Sequence, residues 1–277
     1  MVTQSIAEKY RAACIAELSA LKPGNVHIFS DGHGMLVQDF IKSADASMLA
    51  IAKPGFSVGV RILEAVKATW GAVACNTNLG IILLAAPMIQ AALESKTFSQ
   101  NAVQQVLARL TVGDAESAYQ AIQIAKPAGL GEAEEHDVSA TPQISLLAAM
   151  QAAADRDLIA QQYANGLAEV FGLGCQTYQT YLKKWERPAW ATTAVYLAFL
   201  AGFEDSHIAR KYGSTIAQTI QKQAQSHWLA FAAQDNPKLY QATLLEWDQS
   251  LKNQGINPGT SADLTVATML AVALAES

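Results

Sequence analysis

Apolar residues recur at three- and four-residue steps along nearly the whole chain, and this period limits the fold more than any single motif does. Ile6, Tyr10, Ala13, Cys14 and Leu18 set the pattern and predict an amphipathic helix over 3–20. Leu36, Phe40, Ile41, Ala44, Met48 and Ile51 repeat it over 36–52. The same reading predicts helices over 56–73, 78–94, 99–109, 111–125, 142–153, 156–183, 189–201, 206–232, 237–251 and 260–276, with "GLG" at 172–174 as a candidate break. No stretch alternates Val, Ile and Thr in the way a half-buried strand requires. The expected fold class is therefore all-α, about a dozen helices. The segment "SADLTVATMLAVALAES" is apolar on every side until its end. A helix apolar all round is buried, so this one is expected at the centre. No composition shift or flexible linker divides the chain, and 1–277 is expected to form a single compact domain.

Charge and cysteine usage exclude several classes. The formal net charge is −5 and the cations are scattered, so no basic stripe for nucleic acid forms. A small anionic ligand remains compatible, because its site needs only a few local cations. Cys14, Cys75 and Cys175 are far apart and no CxxC occurs, which argues against a cysteine zinc site. They read as buried thiols of a reducing compartment. The first residues carry Glu8, Lys9, Arg11 and Glu17 and lack a signal-peptide core. The longest apolar run, "GIILLAAPMI", falls short of the ~20 residues that span a bilayer. A cytoplasmic protein with no membrane partner is expected, and a helical chain of this size suggests a homodimer through an apolar face.

The polar residues gather in patches: "LKPGNVHIFSDGHG" from Leu21, "DFIKSAD" from Asp39, "CNTNLG" from Cys75, "GLGEAEEHDV" from Gly129, "FEDSHIARKYG" from Phe203 and "NPGTSAD" from Asn257. The breakers "KPGN", "KPGF", "KPAG" and "NPGT" stand at helix ends, where Pro and Gly are ordinary stop chemistry. Such loops also leave free N–H groups at the next helix start, which suits anions, and a neighbouring lysine adds a movable positive charge. One residue suffices to cap the helix after "NTN", so its spare amides need neighbouring loops or a ligand. Glu204 and Asp205 before Arg210 and Lys211 match a helix dipole, and paired carboxylates also suit magnesium. His27 and His33 are not at the i, i+4 spacing of a helical zinc site; hydrogen-bonding or acid–base roles fit better. There is no GxSxG, Walker A or GxGxxG motif. Several acids, several amides and a few cations suit a Mg²⁺–polyphosphate substrate.

Taken in order, "ELSALKPGNVHIFSDGH", "DFIKSA", "NTNLGIILL", "GLGEA", "EDSHIARKYG" and "NPGTSADL" resemble the motifs of the triphosphoribosyl-dephospho-CoA synthase family, from about Glu17 to Leu264. The resemblance implies an all-helical enzyme that takes ATP and 3′-dephospho-CoA, releases adenine and joins the triphosphoribosyl group to a ribose hydroxyl. It departs where family members read "NTHKG", since this chain has Asn78 and Leu79 there, and it is similar to the branch associated with methanopterin-linked one-carbon metabolism. Cluster position and resemblance together suggest that Lys22, the Gly24 and Asn25 backbone, and Arg210 or Lys211 hold the nucleotide's phosphates, with Ser30 also in the nucleotide site. Asp205 with Glu204 or Glu64 would bind Mg²⁺. Asp31 or Glu132 would be the base and His33 a donor, while Asn76, Thr77 and Asn78 would orient the ribose or purine. Two alternatives are transfer to another acceptor and a non-catalytic nucleotide-binding protein.

Overall fold

The computed structural model describes residues 2–127 and 138–276. Among these residues there are fourteen α-helices and no strand. They are α1 (Val2–Leu18), α2 (Val37–Ile51), α3 (Val58–Val73), α4 (Leu79–Glu94), α5 (Gln100–Leu107), α6 (Val112–Ala125), α7 (Leu146–Ala153), α8 (Leu158–Asn165), α9 (Cys175–Trp185), α10 (Pro188–Gly202), α11 (Ser206–Tyr212), α12 (Ser214–Ala232), α13 (Gln241–Asn253) and α14 (Gly259–Ala275). A π-turn, Val170–Gly174, leads into α9, and a 3₁₀ turn, Pro237–Tyr240, leads into α13.

Three helices are buried on nearly every side, and they are the apolar ones in sequence: α4, α10 and α14. The C-terminal helix is central, packing on α1, α4 and α10. Buried threonines are accommodated there by back-bonding to the carbonyl four residues earlier. Thr265 Oγ1 donates to Ser261 O at 2.8 Å and Thr268 Oγ1 to Leu264 O at 2.9 Å. Each hydroxyl is thereby satisfied within its own helix, which removes the penalty of burying it.

Two predicted helices divide where the sequence period did not show it. The 156–183 segment breaks at Gly166 (φ +70°) and Leu167 (φ +58°), not at 172–174, where the chain forms the π-turn. The 206–232 segment breaks at Gly213, whose φ of +88° no L-residue adopts readily. The "HIFSDGHG" stretch folds as two tight turns closed by isolated bridges between His27 and Ser30 and between Gly32 and Met35.

Candidate active site

A cleft of about 1410 Å³ is lined by residues from most of the polar patches. Its wall includes Glu17 at the end of α1, Asn25, Asn76, Thr77 and Asn78 before α4, Asp157 before α8, Glu204, His207 and Arg210, and Asn257 and Asp263 at the start of α14. Pro127 and Val138 also line it. Glu132, between them in sequence, lies outside the described residues.

The floor is a buried polar network built on "KPGN". Gly24 has φ +83°, and a Cβ there would fall 2.9 Å from Pro258 Cδ, so this turn and the "NPGT" turn can close together only at a glycine. Gly24 N–H donates to Asp248 on α13 at 2.8 Å, and the Tyr196 hydroxyl on α10 donates to Pro23 O at 2.7 Å. Lys22 does not reach into the cleft. Its ammonium is enclosed, donating to Glu17 Oε1 and, at 2.8 Å, to Asn25 Oδ1. Asn25 Nδ2 in turn donates to Asn257 Oδ1 at 2.8 Å. Burial lifts the Glu17 carboxyl and depresses the Lys22 ammonium, and each group's charge works against the other's shift.

A second network supports the "NTN" turn. Asn76 Oδ1 accepts from Leu79 N at 3.2 Å. Thr77 Oγ1 donates to Ser43 Oγ at 2.6 Å, and Asn78 Nδ2 reaches Ser47 Oγ at 3.4 Å, itself 3.2 Å from the Tyr10 hydroxyl. Asn76 thus caps its own turn, while Thr77 and Asn78 find partners on α2, and all three residues still line the cleft.

On the opposite wall Arg210 is positioned by Asp157. Nη1 donates to Asp157 Oδ2 at 2.7 Å, and Asp157 Oδ1 accepts from Ile159 N at 2.8 Å as the cap of α8. Arg210 Nε is buried with no partner among the described residues. The neighbouring His207 is pushed down to about 4 by burial first, then by Arg210, Lys211 and His33.

The remaining candidates are engaged elsewhere or, like Glu204, line the cleft with their oxygens already bonded. Both oxygens of Asp205 are already occupied: Oδ1 accepts from His207 N (3.0 Å) and Ile208 N (3.2 Å), and Oδ2 from Ser261 N and Ser261 Oγ (both 2.8 Å). It pins the start of α11 to the start of α14. Glu64, on α3, pairs with Lys67 at 2.8 Å, and Glu204 accepts from Ser214 at 2.5 Å and Gln218 at 2.8 Å. Glu64, Glu204 and Asp205 thus do not converge, and among the described residues no three acidic, His or Cys groups are arranged to hold a metal ion. Asp31 accepts from Val37 N at 2.7 Å at the start of α2, and His33 Nε2–H donates to Gly24 O at 2.7 Å; neither lines the cleft. Ser30 Oγ donates to Asp31 O at 3.2 Å, and Lys211 lies over the Tyr212 ring at 5.0 Å. All three thiols are shifted upward by burial, Cys14 to about 12 and Cys175 to about 11, so none is poised as a nucleophile.

Asp157 and Asp248 have no distinguishing signal in the sequence, and Asp263 has only a weak one. Asp157 reads as an ordinary N-cap, and Asp248 sits within the amphipathic pattern of α13, where it faces Gly24, His27 and Lys252. Asp263 had a signal, an acid just before an apolar helix, but the signal looks the same for a first-turn acid.

A family model described as CitG, ATP:dephospho-CoA triphosphoribosyl transferase, matches residues 3–277. A crystal structure from Archaeoglobus fulgidus, to which the name triphosphoribosyl-dephospho-CoA synthase is assigned, is similar in fold, with a TM-score of 0.65 and 22% identity over 83% of this chain and 97% of that one. No curated protein matches the chain.

Proposed function

The chain belongs to the CitG family of ATP:dephospho-CoA triphosphoribosyl transferases, and we propose that the cleft walled by α1, α4, α11 and α14 is where it transfers the triphosphoribosyl group. ATP supplies that group, 3′-dephospho-CoA accepts it, and adenine is released. The observation that carries this reading is convergence: Asn25, Asn76, Thr77, Asn78, Arg210 and Asp263 come from separate patches of the sequence yet face one space. At about 1410 Å³ the space exceeds the ~300–1,000 Å³ that one small molecule fills, as a reaction joining two nucleotides requires.

Arg210 is the group on this wall best suited to phosphate, since Asp157 fixes one edge of its guanidinium while Nε is buried with no partner among the described residues. Lys22 acts from behind the wall, holding Glu17 and Asn25 in place. Asn76, Thr77 and Asn78 present amides and a hydroxyl to the sugar or purine. Among the described residues no acids assemble a metal site, and in this reading magnesium arrives on the phosphate oxygens of the nucleotide.

The test is direct. Protein, MgATP and 3′-dephospho-CoA are incubated and free adenine is measured by chromatography. Adenine should accumulate in proportion to enzyme and only when the acceptor is present. No adenine above the protein-free blank would remove the assignment, and adenine formed only with a different hydroxyl acceptor would replace the substrate.

A further inference from the structure

Asp263 occupies a place in the cleft that the fold keeps open for it. It lies in the first turns of α14, opposite the start of α4. A Cβ on Gly80 would fall 2.0 Å from Asp263 Oδ2 and 2.6 Å from its Cγ, so any side chain at that point of α4 would expel the carboxyl group. Among the described residues Asp263 has no hydrogen-bond donor, in contrast to Asp205 with four. It lines the same cleft as Glu17, whose carboxylate is in contact with the Lys22 ammonium.

We propose that Asp263 is the acid–base residue of the transfer and that Glu17 is the fixed negative charge beside the reacting sugar carbon. The proposal rests on the transferase reading above and assigns the proton movements within it. The C1′–N9 bond of ATP breaks with its electron pair moving to N9, and the Asp263 proton passes to the departing purine. The acceptor's hydroxyl oxygen forms the new bond to C1′, and its proton returns to the Asp263 carboxylate, which regenerates the acid. Between these events the sugar carbon carries positive charge, and the Glu17 carboxylate stabilises it.

The surroundings of Asp263 suit the protonated starting state. Burial lifts its carboxyl well above the usual carboxylate range, and the neighbouring charges of Glu17, Asp205 and Asp157 add to the shift while Arg210 opposes it. Lys22 and the Cys14 thiol also feel its charge from α1 and the turn after it. Two carboxyl groups in one site, one paired with a cation and the other with no partner, are driven apart in proton affinity, the usual arrangement for an acid and a charge stabiliser.

The experiment measures adenine release by the wild type, Asp263→Asn and Asp263→Glu across about pH 5 to 9, with ATP affinity by calorimetry and folding by circular dichroism. Wild-type turnover establishes the reaction first, so its absence counts against the transferase reading alone. Given turnover, the wild-type kcat should fall as pH rises, when Asp263 loses its proton. Asp263→Asn should lower kcat by roughly 10²–10⁴-fold with ATP affinity little changed, and the basic limb should vanish. Asp263→Glu should retain more activity than Asn. The proposal is overturned if Asp263→Asn keeps more than a tenth of kcat. It is also overturned if the principal loss is in ATP affinity and is relieved by added magnesium, which would make Asp263 a ligand of the nucleotide's metal. Should the Asn variant not fold, a wild-type kcat that is flat over this range, or an Asp263→Glu variant lacking the basic limb, overturns it equally.

Discussion

Lys22 shows how a residue chosen for its charge does a different job from the one its sequence position suggests. "KPGN" reads as a phosphate loop, yet Lys22 is only 1% exposed and both described partners of its ammonium are side chains of the protein. Removing one member of a buried ion pair leaves the other uncompensated, at a loss of about 3–5 kcal/mol. Lys22→Met should therefore lower the unfolding free energy in urea by about that amount, and a variant as stable as the wild type would show that the pair contributes nothing. His207 gives the pH dependence. Its folded value is held near 4 by burial and by the cations beside it, against an ordinary value of 6.5. The fold thus favours the neutral ring. The stabilisation is present in full above pH 6.5 and is lost as pH falls from there through about 4. The imidazole resonances should titrate with a midpoint near 4; a midpoint near 6.5 would mean that the ring is not enclosed beside Arg210 and Lys211. Because His207 is neutral at pH 7, it adds no cation to the cleft, and phosphate binding there depends on Arg210.

At the scale of elements the helices were legible and their breaks were not. Apolar residues at helical spacing mark every element from α1 to α14, and the C-terminal segment expected at the centre is central, joined there by α4 and α10. "GLG" at 172–174 looks like a stop because glycine lowers helix propensity, but Gly174 answers a packing demand. A Cβ there would fall 2.2 Å from Thr268 Oγ1 and 3.0 Å from Phe199 Cζ, so this turn lies directly on α14 and α10. The real break comes at Gly166–Leu167, where a leucine adopts a left-handed conformation that its side chain gives no reason to expect. Gly174→Ala should destabilise the protein by about 1–3 kcal/mol through overpacking. Gly172→Ala, whose Cβ meets nothing within 4 Å, should be neutral or slightly stabilising. Equal effects in thermal melts would place the two glycines in the same environment and refute the packing argument. The same contrast governs the site. Asn25, Asn76, Asn78 and Arg210 were visible because spare polar groups stand out beside apolar helices. Asp157 and Asp248 were not, because a cap and an amphipathic acid carry no mark of the arginine or the turn they hold. Asp205 misled for the converse reason: an acid before a helix looks the same whether it binds a metal or caps the chain.

The buried residues form two clusters, one built on α1 to α8 with most of α14 and one on α10 to α13 with Leu21, Trp185 and Ala262. Helix α10 belongs to both, turning Val195 and Phe199 to the first and Tyr196, Leu197 and Leu200 to the second. The cleft lies where the clusters meet. Asn76, Thr77 and Asn78 come from the side of the first, His207 and Arg210 from that of the second, and α14 contributes Asp263 between them. A ligand that touches both walls stabilises only the state in which both are formed, so binding energy reports on how the clusters are coupled. At about 100-fold above its Kd, a nucleotide bound to the native state alone adds about 2.7 kcal/mol. For a chain of this size that corresponds to an upward shift of roughly 5–10 °C. Calorimetry with MgATP should show one transition moved by that amount. Two transitions of which ATP moves only one would mean that the clusters unfold independently and that the nucleotide rests on a single wall, leaving Arg210 and the "NTN" turn in different sites.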